Sequence, residues 1–318
     1  MMLNNCELWS LAHGAIDFEE NDYGFSLLRF PKGYRERFSD FPDNAASGAG
    51  IRLCFTTDAR TIRWHFTVCT PSLRTVISPS IDAYVDGLFL KHAEYDLDEG
   101  KSGVFELPLD GGEHTIELYL PLQVQIATTS FDLVETVICE PIAPPNKRWL
   151  LLGDSITQGY FCKFPSYTYA CTLGKLCNAD ILNQGIGGYR FIPALIQPLG
   201  YVPDAVFTAL GINDTLSSDD IKKTIPLFFE KLVNLYPHTP IVAILPIPDL
   251  QEHDSSRLEA VKMQIRAQAK QYDHIYIIDG ARLVPPIADF YTDGLHPSAL
   301  GMRTYALNLA RELSAIDL

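Results

Sequence analysis

At 318 residues the chain is long for a single compact core, and two domains are expected. A hydrophobic share of 47% beside 20% charged residues is ordinary for a soluble globular protein. The formal net charge of −14 argues against nucleic acid, whose phosphates need a basic face, and against an anionic membrane as partner.

The first residues, MMLNNCELWSLAHG, have neither a basic n-region nor an apolar h-region, so no signal peptide is expected. Cysteines fall at 6, 54, 69, 139, 162, 171 and 177 without a CxxC pair, which suggests reduced thiols and a cytoplasmic protein. No apolar run approaches the roughly 18 residues of a membrane span. From residue 50 to 138 the pattern alternates. In RTIRWHFTV, Ile62, Trp64, Phe66 and Val68 face one way and Arg63, His65 and Thr67 the other; EHTIELYL repeats this with Ile116, Leu118 and Leu120. Such runs are half-buried antiparallel strands. Asp86-Gly87 between two apolar runs is a hairpin signal, PLDGGEH is another turn, and together they predict a β-sandwich or jelly roll over 1–140.

The proline-rich stretch EPIAPPNKR, which lacks any period, marks a linker at 141–147. Beyond it short apolar runs recur at Trp149–Leu152, Ile181–Leu182, Ala205–Leu210, Ile241–Leu245 and Ile275–Ile278. Between them lie segments with helical spacing, DDIKKTIPLFFEKLVNLY and SSRLEAVKMQIRAQAKQY, and SALGMRTYALNLARELSA closes the chain with Pro297 suited to its first turn. Buried parallel strands alternating with helices predict a doubly wound α/β domain over 148–318.

In an open α/β sheet, ligands bind beyond the carboxyl ends of the strands. The residues found there are Gly153-Asp154-Ser155, then NQGIGGY from Asn183, then GIND from Gly211; DGLHP from Asp293 precedes the last helix. A serine hydroxyl needs a base to become a nucleophile, and Asp293-x-x-His296 supplies a histidine with a carboxylate to orient it. Acyl transfer also needs donors for the oxyanion. The N–H of Ser155 at a helix N-terminus, a glycine N–H of GIGG and the Asn213 amide are candidates. Taken singly, each motif is also an ordinary turn or helix cap; four of them at successive strand ends are not.

Those blocks resemble, in family order, the SGNH (GDSL-type) hydrolases, over roughly residues 148 to 315. The resemblance implies a flavodoxin-like α/β/α sandwich hydrolysing esters without metal or organic cofactor. It makes Ser155 the nucleophile, Gly188 and Asn213 oxyanion donors with Ser155, and Asp293 and His296 the acid and base. Ile156 stands where the family name has leucine. The β-rich first half also resembles the layout of some carbohydrate esterases and related acyltransferases.

The remaining histidines (His13, His65, His92, His114, His238, His253, His274) show no metal-ligand spacing, and His65 and His114 are expected to be exposed. Asp214 is expected to cap the next helix, and Asp154 to stabilise its turn. Tyr189 and Arg190 are candidates to line the acyl or leaving-group site. Cys162, Cys171 and Cys177 are expected to be buried, as is Trp64. The expected activity is a serine esterase acting on small acyl, above all acetyl, esters of a carbohydrate or small metabolite. Two alternatives stand: an acyltransferase with the same acyl-enzyme, and a catalytically idle carbohydrate-binding protein. Oligomeric state is left open.

Overall fold

The computed structural model of the protein describes residues 1–34, 37–38, 41–71, 78–251 and 254–318. The chain divides into two compact units, Met1–Pro145 with Lys163–Ser166, and Asn146–Cys162 with Tyr167–Leu318.

Along the first unit run α1 (Asn5–Ser10), β1 (Ala12–His13), β2 (Asp17–Asn21), β3 (Gly24–Leu28), α2 (Pro42–Ala46), β4 (Arg52–Thr57) and β5 (Thr61–Val68). They are followed by β6 (Ser80–Val85), β7 (Leu88–Glu94), β8 (Ser102–Pro108), β9 (His114–Tyr119), β10 (Ile126–Val134) and β11 (Cys139–Pro141). One antiparallel sheet has the order β1-β4-β9-β6-β7, with β11 also on β4; the other is β2-β3-β10-β5-β8. The alternation of β5 follows its burial, since Ile62, Trp64 and Phe66 are at most 1% exposed while Arg63 faces solvent. They share one core with Phe55 and Ile116 of the other sheet, and the Phe55 and Phe131 rings meet edge-on at 5.9 Å. Each such side chain contributes roughly 1.5–3 kcal/mol on burial, which makes two facing sheets the stable arrangement.

Asp86 and Gly87 both have positive φ (51° and 76°) and turn β6 into β7, as the hairpin signal requires. His114 is only 18% exposed in its side chain, against expectation, because Asp86 and Asp110 hold its two ring nitrogens at 2.7 and 2.8 Å. Those hydrogen bonds, the one to Asp86 foremost, raise its pKa. Of the stretch expected as a linker, Pro141 pairs with Phe55 of β4, and Lys147 already belongs to a strand of the second unit. A proline at the end of an edge strand is compatible with pairing, which is why composition hides it.

The second unit contains β12 (Lys147–Gly153), α3 (Ser155–Gln158), α4 (Tyr169–Cys177), β13 (Ala179–Gly185) and β14 (Ala205–Ala209). It continues with α5 (Ile221–Leu235), β15 (Ile241–Ile244), α6 (Ser255–Ala269), β16 (Ile275–Ile278) and α7 (Ala299–Ser314). The strands form one parallel sheet in the order β13-β12-β14-β15-β16, the flavodoxin-like order. Right-handed crossovers to either side of β12 place their helices on opposite faces. Accordingly α4 packs with α7, their Tyr169 and Tyr305 rings stacked at 4.2 Å, and α5 packs with α6. Pro297 lies outside α7 rather than in its first turn: the Ser298 side chain accepts from Gly301 N–H and takes the cap, leaving Pro297 bridged to Tyr291. Cys162 and Cys171 are buried, whereas Cys177 at the end of α4 is half-buried.

Candidate active site

The strand order reverses at β12, so the crevice at its carboxyl end, between the ends of β13 and β14, is where this fold places ligands. β12 ends at Gly153, where a Cβ would overlap the Thr157 side chain. Asp154 follows with extended backbone as the cap of α3, one carboxyl oxygen accepting from Ile156 N–H at 2.9 Å. α3 is a single turn of four residues, shorter than the helix expected behind Ser155. Its summed dipole is correspondingly small, so what it offers is its own N–H groups.

Ser155 Oγ lies 2.9 Å from Nε2 of His296, and Nδ1 of His296 lies 2.8 Å from Oδ2 of Asp293. With the carboxylate on Nδ1, the imidazole carries its proton there and presents Nε2 as acceptor to the serine hydroxyl. The other carboxyl oxygen of Asp293 accepts from the N–H groups of Leu295 (3.0 Å) and His296 (2.7 Å). Burial works to raise this carboxyl, but the hydrogen bonds from His296 and Leu295 outweigh it and hold Asp293 below the usual carboxylate range. A neighbouring loop braces the motif: Leu250 N–H donates to Gly294 O, and the Gln251 side-chain amide to Asp293 O, both at 2.8 Å.

After β13 the chain turns at Ile186–Tyr189, closed by Tyr189 N–H to Ile186 O, with Gly188 at φ 82° as such a turn demands. Gln158 of α3 accepts from Gly187 N–H at 2.7 Å and so ties this turn to the serine's helix. Asn213 stands in a short 3-10 turn after β14, where one N–H of its amide donates to Tyr189 O at 3.0 Å. The amide's second N–H is left for another acceptor. Tyr189 itself is 5% exposed, and the Arg190 guanidinium is bound to Ser217 and to Asp219.

Asp214 is not a helix cap. Asp220 caps α5, while Asp214 is buried at 1% exposure and accepts from Phe191 N–H at 3.3 Å. Burial pushes Asp214 up to about 6 and Asp154 up to about 7, the latter with a further contribution from the charge of Asp214. Two aromatic residues that carry no motif also belong here. The rings of Tyr160 and Phe161 lie 5.5 and 5.0 Å from the His296 ring, and Phe161 has φ 60°, unusual for a bulky residue. Among the described residues no group of three or more His, Cys, Asp or Glu is placed to hold a metal; His253 lies outside them. No described helix is long and apolar enough to cross a membrane.

Residues 151–304 match the GDSL-like Lipase/Acylhydrolase family. The second unit is a GDSL-like lipase/acylhydrolase domain. Residues 11–128 match the N-terminal domain of SsfX3, and no curated protein matches the chain. Among solved structures, the salicylyl-acyltransferase SsfX3 from a tetracycline biosynthetic pathway is similar at 20% identity and TM-score 0.81, over 96% of this chain and 94% of that one. A protein from Bacteroides ovatus described as a GDSL-like lipase is similar at 19% identity and TM-score 0.81, over 99% and 97%. A family two carbohydrate esterase from Clostridium thermocellum, solved with cellohexaose, is similar at 16% and 0.67, over 96% and 98%. At such identities the likeness establishes the fold: antiparallel sheets followed by a parallel-sheet α/β domain. The match of residues 151–304 to that family supports an ester-hydrolysing serine hydrolase.

Proposed function

We propose that the protein cleaves small acyl esters, acetyl esters of a carbohydrate or small metabolite in particular, through an acyl-enzyme on Ser155. The observation that carries this reading is the unbroken chain Ser155 Oγ to His296 Nε2 (2.9 Å) and His296 Nδ1 to Asp293 (2.8 Å). As Ser155 attacks the carbonyl carbon, His296 takes the hydroxyl proton, and Asp293, already ionised, stabilises the imidazolium. The N–H groups of Ser155 and Gly188 and the second N–H of Asn213 receive the oxyanion. His296 then returns the proton to the leaving alcohol, water enters as the second nucleophile, and the acyl group departs as its acid. The leaving alcohol must lie near His296, so Tyr160 and Phe161 beside that ring favour an alcohol with a flat apolar face.

An acyltransferase is the second reading, favoured by the SsfX3-type N-terminal domain and by similarity to SsfX3 over nearly its whole length. Both readings share the acyl-enzyme and differ only in the second nucleophile. Hydrolysis of p-nitrophenyl acetate, butyrate and octanoate with and without added sugar alcohols separates them. Release of free acid, fastest from the acetate and unaffected by acceptors, supports the esterase. Acylated acceptor formed at the expense of free acid supports the transferase. Equal rates for wild type and Ser155→Ala overturn both.

A further inference from the structure

Two buried carboxyls flank the reacting groups and take no part in the proton relay. Asp154 adjoins Ser155 and is 3% exposed; its carboxyl accepts from the N–H of Ile156, and no described cation pairs with it. It faces a pocket whose other walls are apolar, among them Leu210, Ile244, Leu245 and Leu295, with the Tyr305 ring at one side. Asp214 adjoins Asn213 and is 1% exposed, and its Oδ2 has no hydrogen-bond partner among the described residues. A carboxylate so placed has lost its hydration and gained little in return.

We propose that Asp154 serves as a neutral carboxylic acid, a positioning residue whose retained proton keeps negative charge away from the oxyanion formed beside Ser155. The inference rests on the reading of Ser155 as nucleophile. The groups facing Asp154 do not favour its charge. From the turn after β14 comes Asp214, itself an acid, with Arg190 and Asp219 acting on it in opposite senses. From α4 and α7 come Tyr169 and Tyr305, whose phenols burial raises and so keeps neutral. From the last loop, His296 and Asp293 are bound to each other. The pocket wall from β14 and β15 is apolar. Burial accordingly raises Asp154 to about 7 and Asp214 to about 6, so the two release their protons across neutrality. Ionisation of Asp154 then sets a second anion one residue from the oxyanion, in surroundings that screen it poorly, and acylation slows.

The test is kcat against pH for p-nitrophenyl acetate with wild type, Asp154→Asn and Asp154→Ala, together with 13C NMR of the Asp154 carboxyl in wild type. Wild-type kcat is expected to fall about tenfold as pH rises past neutrality. Asp154→Asn keeps the shape and hydrogen bonding of the neutral acid, so it loses that decline and overtakes wild type above pH ~8. Asp154→Ala lacks the cap and is slower at every pH. A carboxyl resonance titrating near neutrality supports the inference even if the variants fail to fold. A resonance titrating near pH ~4, or an Asp154→Asn profile with the wild-type decline, overturns it. Ester cleavage surviving in Ser155→Ala would instead overturn the nucleophile assignment, and the carboxyl titration would stand apart from that result.

Discussion

Asp293 and Asp154 are both carboxyls within three residues of a proposed reacting group, and their surroundings shift them in opposite directions. Burial opposes ionisation in each. Asp293 meets two backbone N–H groups and an imidazole, and is held as the anion. Asp154 meets backbone N–H groups alone and an apolar wall, and burial prevails. Asp154 is 3% exposed whereas the Asp293 side chain keeps 28% of its surface, so depth and donors together set the direction of each shift. On the proposed mechanism, one domain would supply an anion where a cation forms at His296, and a neutral acid where an anion forms beside Ser155.

The sharpest way to break this comparison is to neutralise the acid that works as an anion. Asp293→Asn preserves shape but leaves the imidazole in the wrong tautomer, and kcat is expected to fall by about 10⁴ with KM little changed. A loss under tenfold in steady-state kinetics would mean that its charge is dispensable. Next in size is the oxyanion itself, the reason charge near Ser155 matters at all. Asn213→Ala is expected to lower kcat by about 10²–10³. An intact turnover rate would remove Asn213 from the oxyanion site and weaken the case for a charge-sensitive Asp154.

Asp154 also leaves a mark on stability. Its folded value of about 7 lies above the ordinary carboxylate value, so the native state binds more protons than the unfolded chain between those limits. Its contribution is fully present below pH ~4 and is lost as pH rises through about 7, by on the order of 2–4 kcal/mol. Urea midpoints at pH 5 and pH 8 should therefore diverge more for wild type than for Asp154→Asn, and parallel behaviour would contradict the burial argument. The smallest expected effect lies on the Asp293 side. Gln251→Leu removes the amide that braces Asp293 O, and kcat should fall severalfold, in line with the loss of one hydrogen bond of about 1 kcal/mol. An unchanged kcat would show that the loop holds its shape without that brace.

Much of this domain was legible because buried parallel strands read as unbroken apolar runs: Trp149–Leu152 and Ile275–Ile278 fall on strands of the sheet, and Ala205–Leu210 overruns its strand by one residue. Ser155, Gly188 and Asn213 follow from that, since they stand just beyond strand ends, whereas Asp293 and His296 lie in the loop before α7, well past the end of β16. What escaped the sequence depends on contacts between distant segments. Asp214 has the composition of a cap, and only its burial and the Phe191 N–H it accepts from reveal a buried acid. Gln251 braces a residue 42 positions away, and nothing in its neighbourhood announces it. Phe161 adopts a left-handed conformation that its residue type gives no reason to expect, and its approach to His296 is visible only in three dimensions.

The central claim is that Ser155 is a nucleophile activated by His296. Its most direct test is labelling with a fluorophosphonate, read by intact mass and peptide mapping. The account predicts one adduct, on the peptide containing Ser155, lost in His296→Ala. An adduct on another serine, or labelling of Ser155 that persists at the same rate in His296→Ala, would contradict it.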